Sequence, residues 1–508
     1  MDEDRGQALD RETLTIARGA GIVFVGSLLG SGLRYLFQIA IARTMGPESF
    51  GVFSLGFTIF RWISIIAEIG LLSGVVRYVA LFQAGRDTAR VKGAIVLTIR
   101  LTFLSSSALA LLLFLLAEPI AQGFFHEPEL AGVLRWFALA VPFTTPATAM
   151  LYAIQGFKIM EHTILVKEIV APLGRLLLLL LLLVLGGALY GAVATYAFVA
   201  ILSTLLAYSL LRRTFPPLSD RALRPLYESK EILTFSYPLL FVQVLTFANL
   251  WMDSTFLGYY RTSQEVGIYS AAQRTAFLST LIMLSFNMIF APVISSLCAE
   301  ERFDELGHHF CSITKWTFTF NLPICLAMLV FAEPLLGIFG AQFVPGATSL
   351  RILSLGWLIM SATGPANRTI AMSGRSRLNL ANIVFMFALH VVLNLLLVPR
   401  YGILGAAWAT TTSITLGSLL AILEVYLLLH IAPYRLDFLK PLLAGLLSAG
   451  VAFLLAKYAL PGRELIPSLA LAAAFALAYL GLLLLLGIDR EDRVVLDRLK
   501  VKLLGARP

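Results

Sequence analysis

The sequence predicts an all-α polytopic membrane protein of about fourteen transmembrane helices, arranged as two six-helix lobes in parallel repeat plus two C-terminal helices. Three observations carry that expectation. Apolar runs long enough to cross a bilayer recur from end to end, the basic residues sort by side, and short motifs return after roughly 215 residues.

The apolar runs come first. Of 508 residues, 58% are hydrophobic and 14% charged, and the mean hydropathy is +0.85. A soluble chain needs far more polar surface to cover its cores. Runs of about 20 apolar residues match the thickness of the hydrocarbon layer. The predicted spans are 18–43, 50–76, 93–117, 130–156, 163–186, 188–211, 232–258, 265–297, 308–332, 346–373, 377–398, 403–430, 438–459 and 464–487. The longest of these must tilt or protrude. The opening MDEDRGQALDRE precedes an apolar segment too long for a signal-peptide core, so the first span is expected to be retained.

Charge supplies the orientation. With the N-terminus inside, most of the 39 Lys and Arg face the cytoplasm. Arg86, Arg90 and Lys92 share one inner loop, and Arg212, Arg213, Arg221, Arg224 and Lys230 another, whereas the outer loop around 126–130 holds no Lys or Arg. Positive charge retained inside places both termini in the cytoplasm, and it accounts for most of a pI near 9.5 without nucleic acid.

The repeat defines the lobes. Gly51-Val-Phe-Ser54 returns as Gly267-Ile-Tyr-Ser270, Ala117-Glu118-Pro119 as Ala332-Glu333-Pro334, Leu134-Arg135 as Leu350-Arg351, and Gly191-Ala192 as Gly405-Ala406. Four pairs in order at nearly constant offset argue for duplication. An even number of helices per repeat gives both lobes the same orientation, related by an axis along the membrane normal, with a substrate site between them. The expected segments are therefore a cytoplasmic tail (1–17), an N-terminal lobe (18–212), a basic linker (213–231), a C-terminal lobe (232–431), the last two helices (432–487) and a basic amphipathic tail (488–508) lying on the inner membrane face.

Ionised side chains near the bilayer centre are costly and usually face water or a partner. The candidates are Arg34, Arg61, Glu68, Arg175, Asp253 and Arg274. Arg61 and Glu68 stand two helical turns apart and share a face. Guanidinium groups grip phosphate bidentately and stay charged, so Arg34, Arg61, Arg274 and Arg175 are candidate binders of a phosphate head group. Asp253 and Glu68 are candidates for ion coupling or for charge pairing, and helix packing is the plainer role for Asp253. Arg100, Arg135, Lys315 and Arg351 stand near helix ends, where snorkelling suffices. Gln38, Gln243, Asn249, Gln273 and Asn287 supply polar groups that suit sugar hydroxyls or helix bridging. Pro142, Pro146, Pro238, Pro292 and Pro365 fall inside spans as candidate hinges.

Cys298, Cys311 and Cys325 lack ligand spacing and read as packing residues. No His/Asp/Glu cluster has metal spacing, and no phosphate-binding Gly-rich Lys motif is present, so neither a metal, a cofactor nor direct ATP use is expected. Asn367-Arg368-Thr369 matches a glycosylation sequon but lies within a span.

These residues resemble the polysaccharide-biosynthesis (Wzx-type) flippases of the multidrug/oligosaccharidyl-lipid/polysaccharide exporter superfamily. The segment Arg43–Arg77, with Gly46-Pro47-Glu48-Ser49-Phe50-Gly51 and Glu68-Ile69-Gly70-Leu71, is similar to the family's first signature. Asp253 followed by Gly267–Arg274 is similar to a second, and Leu393–Ala407, the most specific, to a third. The resemblance covers roughly residues 15–490. It implies alternating access around a cationic cavity, moving an undecaprenyl- or dolichyl-phosphate-linked glycan between leaflets of the cytoplasmic membrane in cell-surface polysaccharide biosynthesis. By the same resemblance Arg34, Arg61 and Arg274 fall where cavity arginines are expected, and the last two helices border a lipid-tail groove. The expected partners are the lipid-linked oligosaccharide, membrane lipids and a coupling ion (proton or sodium), with no nucleic acid and with the monomer as the working unit. A drug or cation exporter of the superfamily is the first alternative, disfavoured by the arginine-rich interior. A membrane polysaccharide polymerase or ligase is the second, disfavoured by short outer loops, so the chain is not expected to be an enzyme.

Overall fold

The computed structural model describes residues 2–187, 189–459 and 465–487, and the expected amphipathic tail at 488–508 lies outside them. The described residues form helices joined by turns, with no strand among them. Ten stretches among them are long and apolar enough to cross a bilayer. The first, Val25–Ala84, runs through two of the expected spans, and several other expected spans are interrupted below that length, so fourteen remains the count read from hydropathy. The chain is a multi-pass, all-α membrane protein.

The described helices divide after Ser270 into two compact units. In the first unit α1 (Asp2–Ala67) is two helices joined across Gly46, whose φ of 75° breaks the helical path. Pro47 follows, its fixed φ suited to a helix start. After α1 come α2 (Leu71–Ala84), α3 (Thr88–Glu118), α4 (Glu129–Gly156), the single turn α5 (Glu161–Ile164), α6 (Ala171–Val184), α7 (Leu189–Thr214) and α8 (Ser229–Tyr260). The helix α9 (Ser263–Ala276) crosses the division. The core gathers Leu71, Val75, Val79, Ile95, Leu151, Ile154 and Leu211 from α2, α3, α4 and α7. The expected C-terminal lobe begins at 232, and α8, which follows the linker, packs against α1 and α2 within this first unit.

The expected span 50–76 is interrupted. Ile69 (φ 51°) and Gly70 (φ 70°) take the left-handed conformation between α1 and α2. A break inside an apolar layer frees backbone groups that water cannot satisfy. Here Ser105 Oγ on α3 donates to the Ala67 carbonyl at 2.6 Å, and Leu71 N–H donates to Glu68 O at 2.8 Å. Gly70 is required twice over, because an added Cβ would also lie 2.1 Å from the Ser236 carbonyl on α8.

The segment after α7 is clamped to the start of α3. Lys92 Nζ donates to the carbonyls of Asp220 and Leu223, and Leu226 N–H donates to Ala89 O at 3.1 Å. At another end of the unit the repeated glycines meet. A Cβ on Gly51 would lie 1.7 Å from Ser263 O, and one on Gly267 would lie 1.9 Å from Pro47 O. Ser263 and Gly267 stand one repeat offset beyond Pro47 and Gly51, so the two contacts are reciprocal.

The second unit holds α10 (Thr280–Ala299), α11 (Phe303–Val330), α12 (Ala332–Gly337), α13 (Ala347–Ala362), α14 (Ala366–Met372), α15 (Ser376–Tyr401), α16 (Ile403–Leu429), α17 (Leu439–Ala459) and α18 (Leu465–Leu485). The span expected at 346–373 is divided between α13 and α14 by Gly364, φ 62°, and Pro365. Helices α17 and α18 pack on α11 through Phe318, Leu322, Phe475 and Tyr479, and Tyr479 Oη donates to Thr319 O at 2.9 Å.

Each unit carries the same ion pair. Arg135 Nη2 stands 3.1 Å from Glu118 Oε2 in the first, and Arg351 Nη2 stands 3.2 Å from Glu333 Oε1 in the second. Two arginines expected to snorkel are therefore tied to the acid of the repeated Ala-Glu-Pro motif.

Removing the Ser105 hydroxyl should leave the Ala67 carbonyl unsatisfied at the helix break. Ser105→Ala is expected to cost about 1–2 kcal/mol, read as an earlier thermal unfolding transition in detergent. Ser106→Ala, whose hydroxyl bonds to Phe103 O within its own helix, should shift the transition less.

Candidate functional site: a cationic chamber in the first unit

Within the first unit lies a chamber of about 620 Å³. Its walls take Arg34, Phe57, Phe60 and Arg61 from α1, Glu68 from the helix break, and Thr144, Thr148 and Tyr152 from α4. A π-helical turn at Leu165–Val170 adds Lys167 and Glu168, α6 adds Arg175, α7 adds Tyr196 and Ser203, and α8 adds Gln243, Thr246 and Phe247. Four cations thus face two carboxylates, a formal excess of two positive charges.

Each cation is held differently. Arg34 donates through Nη1 to Glu168 Oε2 at 2.6 Å and through Nη2 to Ser31 Oγ at 2.8 Å. Arg61 lies 5.8 Å from the Phe247 ring centroid. Arg175 lies 4.5 Å from the Tyr196 ring, and its Nε is buried with no hydrogen-bond partner among the described residues. Lys167 Nζ lies 5.2 Å from the Tyr152 ring. No carboxylate among the described residues stands within ion-pair distance of Arg61 or Arg175. A ring face attracts a cation by about 0.5–2 kcal/mol and leaves the guanidinium edge able to donate. Arg34 and Arg61 repel Arg175 across the chamber, and Glu68 attracts Arg61 and Lys167 without pairing directly with either.

The aromatic wall behind these groups is continuous. Phe57 and Tyr196 meet tilted with centroids 5.6 Å apart, Phe137 and Tyr196 meet edge-on at 5.3 Å, and Phe60 and Phe137 stack at 5.1 Å. A low-dielectric wall strengthens every charge interaction inside the chamber.

The π-helical turn explains why Lys167 and Glu168 face inward. One extra residue in the turn rotates the side chains that follow it, and such turns are frequent at functional sites. The turn also sits tight against α1. A Cβ on Gly26 would lie 2.2 Å from Ile164 Cγ2, and one on Gly30 would lie 2.5 Å from Glu168 O and 2.6 Å from Glu168 Oε2.

Of the residues expected from sequence, Arg34, Arg61, Arg175 and Glu68 come together here, with Gln243 beside them. Asp253 is fully buried outside the chamber lining and accepts a hydrogen bond from Tyr269 Oη at 2.8 Å. Arg274 lies beyond Ser270, on the second-unit part of α9. Gln38 and Asn249 stand outside the lining, each with an acceptor oxygen that has no partner among the described residues. Lys167 and Glu168 do not stand out in the sequence, because the π-helical turn that carries them inward leaves no mark on a 3.6-residue periodicity. The signal that points to them is Gly26-Ser-Leu-Leu-Gly30, the small-xxx-small spacing that lets another helix approach closely.

Residues 16–298, more than half the chain, match the family model described as polysaccharide biosynthesis protein, and residues 238–396 match a second model, MatE. The chain belongs to the polysaccharide biosynthesis protein family. It is 22% identical over 413 residues to a probable low-salt glycan biosynthesis flippase of Haloferax volcanii, covering 80% of this chain and 83% of that one. It is 24% identical over 416 residues to the lipid III flippase of Escherichia coli, covering 78% and 94%. The fold matches the lipid II flippase MurJ in an inward closed conformation with a TM-score of 0.72 at 15% identity, over 91% of this chain and 97% of that one.

Gly30→Val should drive α1 away from the π-helical turn. Overpacking of this kind typically costs about 1–3 kcal/mol, so the detergent-solubilised protein is expected to melt several degrees earlier. Gly32→Ala, whose added Cβ meets nothing within 4 Å, should not lower the melting temperature, since alanine suits a helix interior better than glycine.

Proposed function

We propose that the chain is a flippase that carries a polyprenyl-(pyro)phosphate-linked oligosaccharide across the cytoplasmic membrane by alternating access, in cell-surface polysaccharide biosynthesis. The observation that carries this reading is the chamber's excess of guanidinium and ammonium groups against apolar and aromatic walls. Such a site holds a phosphate head group away from water, where charge-assisted and bidentate hydrogen bonds are strong. Threonine and serine hydroxyls and Gln243 stand among the cations as partners for sugar hydroxyls. The names of the two flippase relatives support the same class of cargo.

In this reading the lobes are 18–212 and 232–431, like-oriented and rocking about the substrate, with 213–231 as their cytoplasmic link. Arg34, Arg61 and Arg175 meet the phosphate in the first unit, and Arg274 joins them from the second lobe during the cycle. Both termini lie in the cytoplasm, the last two helices accompany the lipid tail, and the monomer is the working unit. The chain makes and breaks no covalent bond in its cargo. An ion gradient supplies the energy, with Asp253 and Glu68 as the carboxylates available to a proton or sodium ion.

Proteoliposomes containing the purified protein should move a fluorescent polyprenyl-diphosphate glycan between leaflets. Arg61→Ala and Arg274→Ala should each lower the initial rate by about tenfold or more without reducing the folded yield. Normal rates in both variants would remove the cationic-site reading, and hydrolysis or elongation of the lipid would indicate an enzyme instead.

A further inference from the structure

The pairing of charges inside the chamber is uneven. Arg61 and Arg175 rest on aromatic rings with no carboxylate at ion-pair distance among the described residues, whereas Arg34 is held by Glu168 at 2.6 Å. We propose that Glu168 is a positioning residue that stands in for a substrate phosphate, holding Arg34 until the cargo's diphosphate displaces it and reclaiming Arg34 when the cargo leaves. This inference rests on the flippase reading above.

Three features of the chamber support it. Both residues line the chamber and neither is fully buried, the Arg34 side chain being 41% exposed and that of Glu168 22%, so an incoming anion can reach the guanidinium without unfolding anything. The carboxylate is placed by the backbone rather than by chance, because Gly26 and Gly30 let the π-helical turn approach α1 within the space a Cβ would fill. Charge counting then sets the cargo. Four cations and two carboxylates leave two positive charges, matching the two negative charges of a diphosphate diester.

A resident carboxylate also answers a kinetic need. A site that grips its cargo with every cation throughout the cycle gains affinity without gaining rate. An internal anion that competes for Arg34 weakens the loaded state and speeds release. Lys167, next to Glu168 on the same turn and lining the same chamber, is the cation available to the displaced carboxylate.

The test uses the full chain in nanodiscs for binding and in liposomes for movement. The probe is fluorescent undecaprenyl-diphosphate N-acetylglucosamine. Glu168→Gln should tighten binding about two- to fivefold, the range a partly exposed ion pair commands, and should slow flipping at saturating probe. Glu168→Asp, too short to keep the pair, should tighten binding by a smaller factor, and it serves if the Gln variant fails to fold. In an Arg34→Ala background Glu168→Gln should change nothing, since the two act through one another. A merely structural Glu168 would instead lose affinity and rate together, and that outcome overturns the proposal. Unchanged affinity in a variant that folds, or tightening that persists without Arg34, overturns it as well while leaving the flippase reading standing. A wild-type protein that neither binds nor moves the probe removes the flippase reading and this inference with it.

Discussion

Inside a hydrocarbon layer each backbone carbonyl, each amide and each charge must find its partner within the protein or in water that the protein admits. That constraint shapes the chain at every level described above. It permits helices throughout, and it makes each interruption of a helix a place where another element must supply a hydrogen bond. The break at Glu68–Gly70 survives because Ser105 reaches across from α3 to the Ala67 carbonyl. The segment after α7 stays in place because Lys92 caps two of its carbonyls.

The same rule governs charge. Six ionisable side chains in one chamber would be prohibitive facing lipid, yet here they compensate one another in part and rest on ring faces for the remainder. The leftover positive charge is what the proposed anionic cargo would neutralise. Phe57, Phe60 and Tyr196 serve two ends, as packing for α1, α4 and α7 and as the dry backing that keeps the cations unscreened.

Much of this was legible in the residues. Hydropathy gave the helical, membrane-spanning class, since a 20-residue apolar run has few other uses. The repeat was legible too, and its Ala-Glu-Pro and Leu-Arg motifs form one ion pair in each unit. Arg34, Arg61, Arg175 and Glu68 stood out because charge is costly in an apolar run, and they meet in one chamber. The helix breaks at Gly70 and Gly364 were less visible, because hydropathy continues unchanged through a left-handed residue. Lys167 and Glu168 are not legible for a local reason: a π-helical turn alters which face a residue presents, and a period of 3.6 does not carry that. For Asp253 packing was the plainer reading beside ion coupling, and the hydrogen bond it accepts from Tyr269 Oη could not be read from residues sixteen positions apart on separate helices.

The reciprocal approach of Gly51 to Ser263 and Gly267 to Pro47 bears on how such a chain can evolve. After a duplication the two copies ordinarily drift apart, each free to accept changes that suit its own surroundings. Where a residue in one copy is the neighbour of its own counterpart, that freedom is lost. A larger side chain at either site collides with backbone rather than with a side chain that could adapt, so no compensating substitution in the other copy relieves it. The glycine that opens the repeated motif is thereby frozen twice, and it should be the last trace of kinship to fade as the halves diverge.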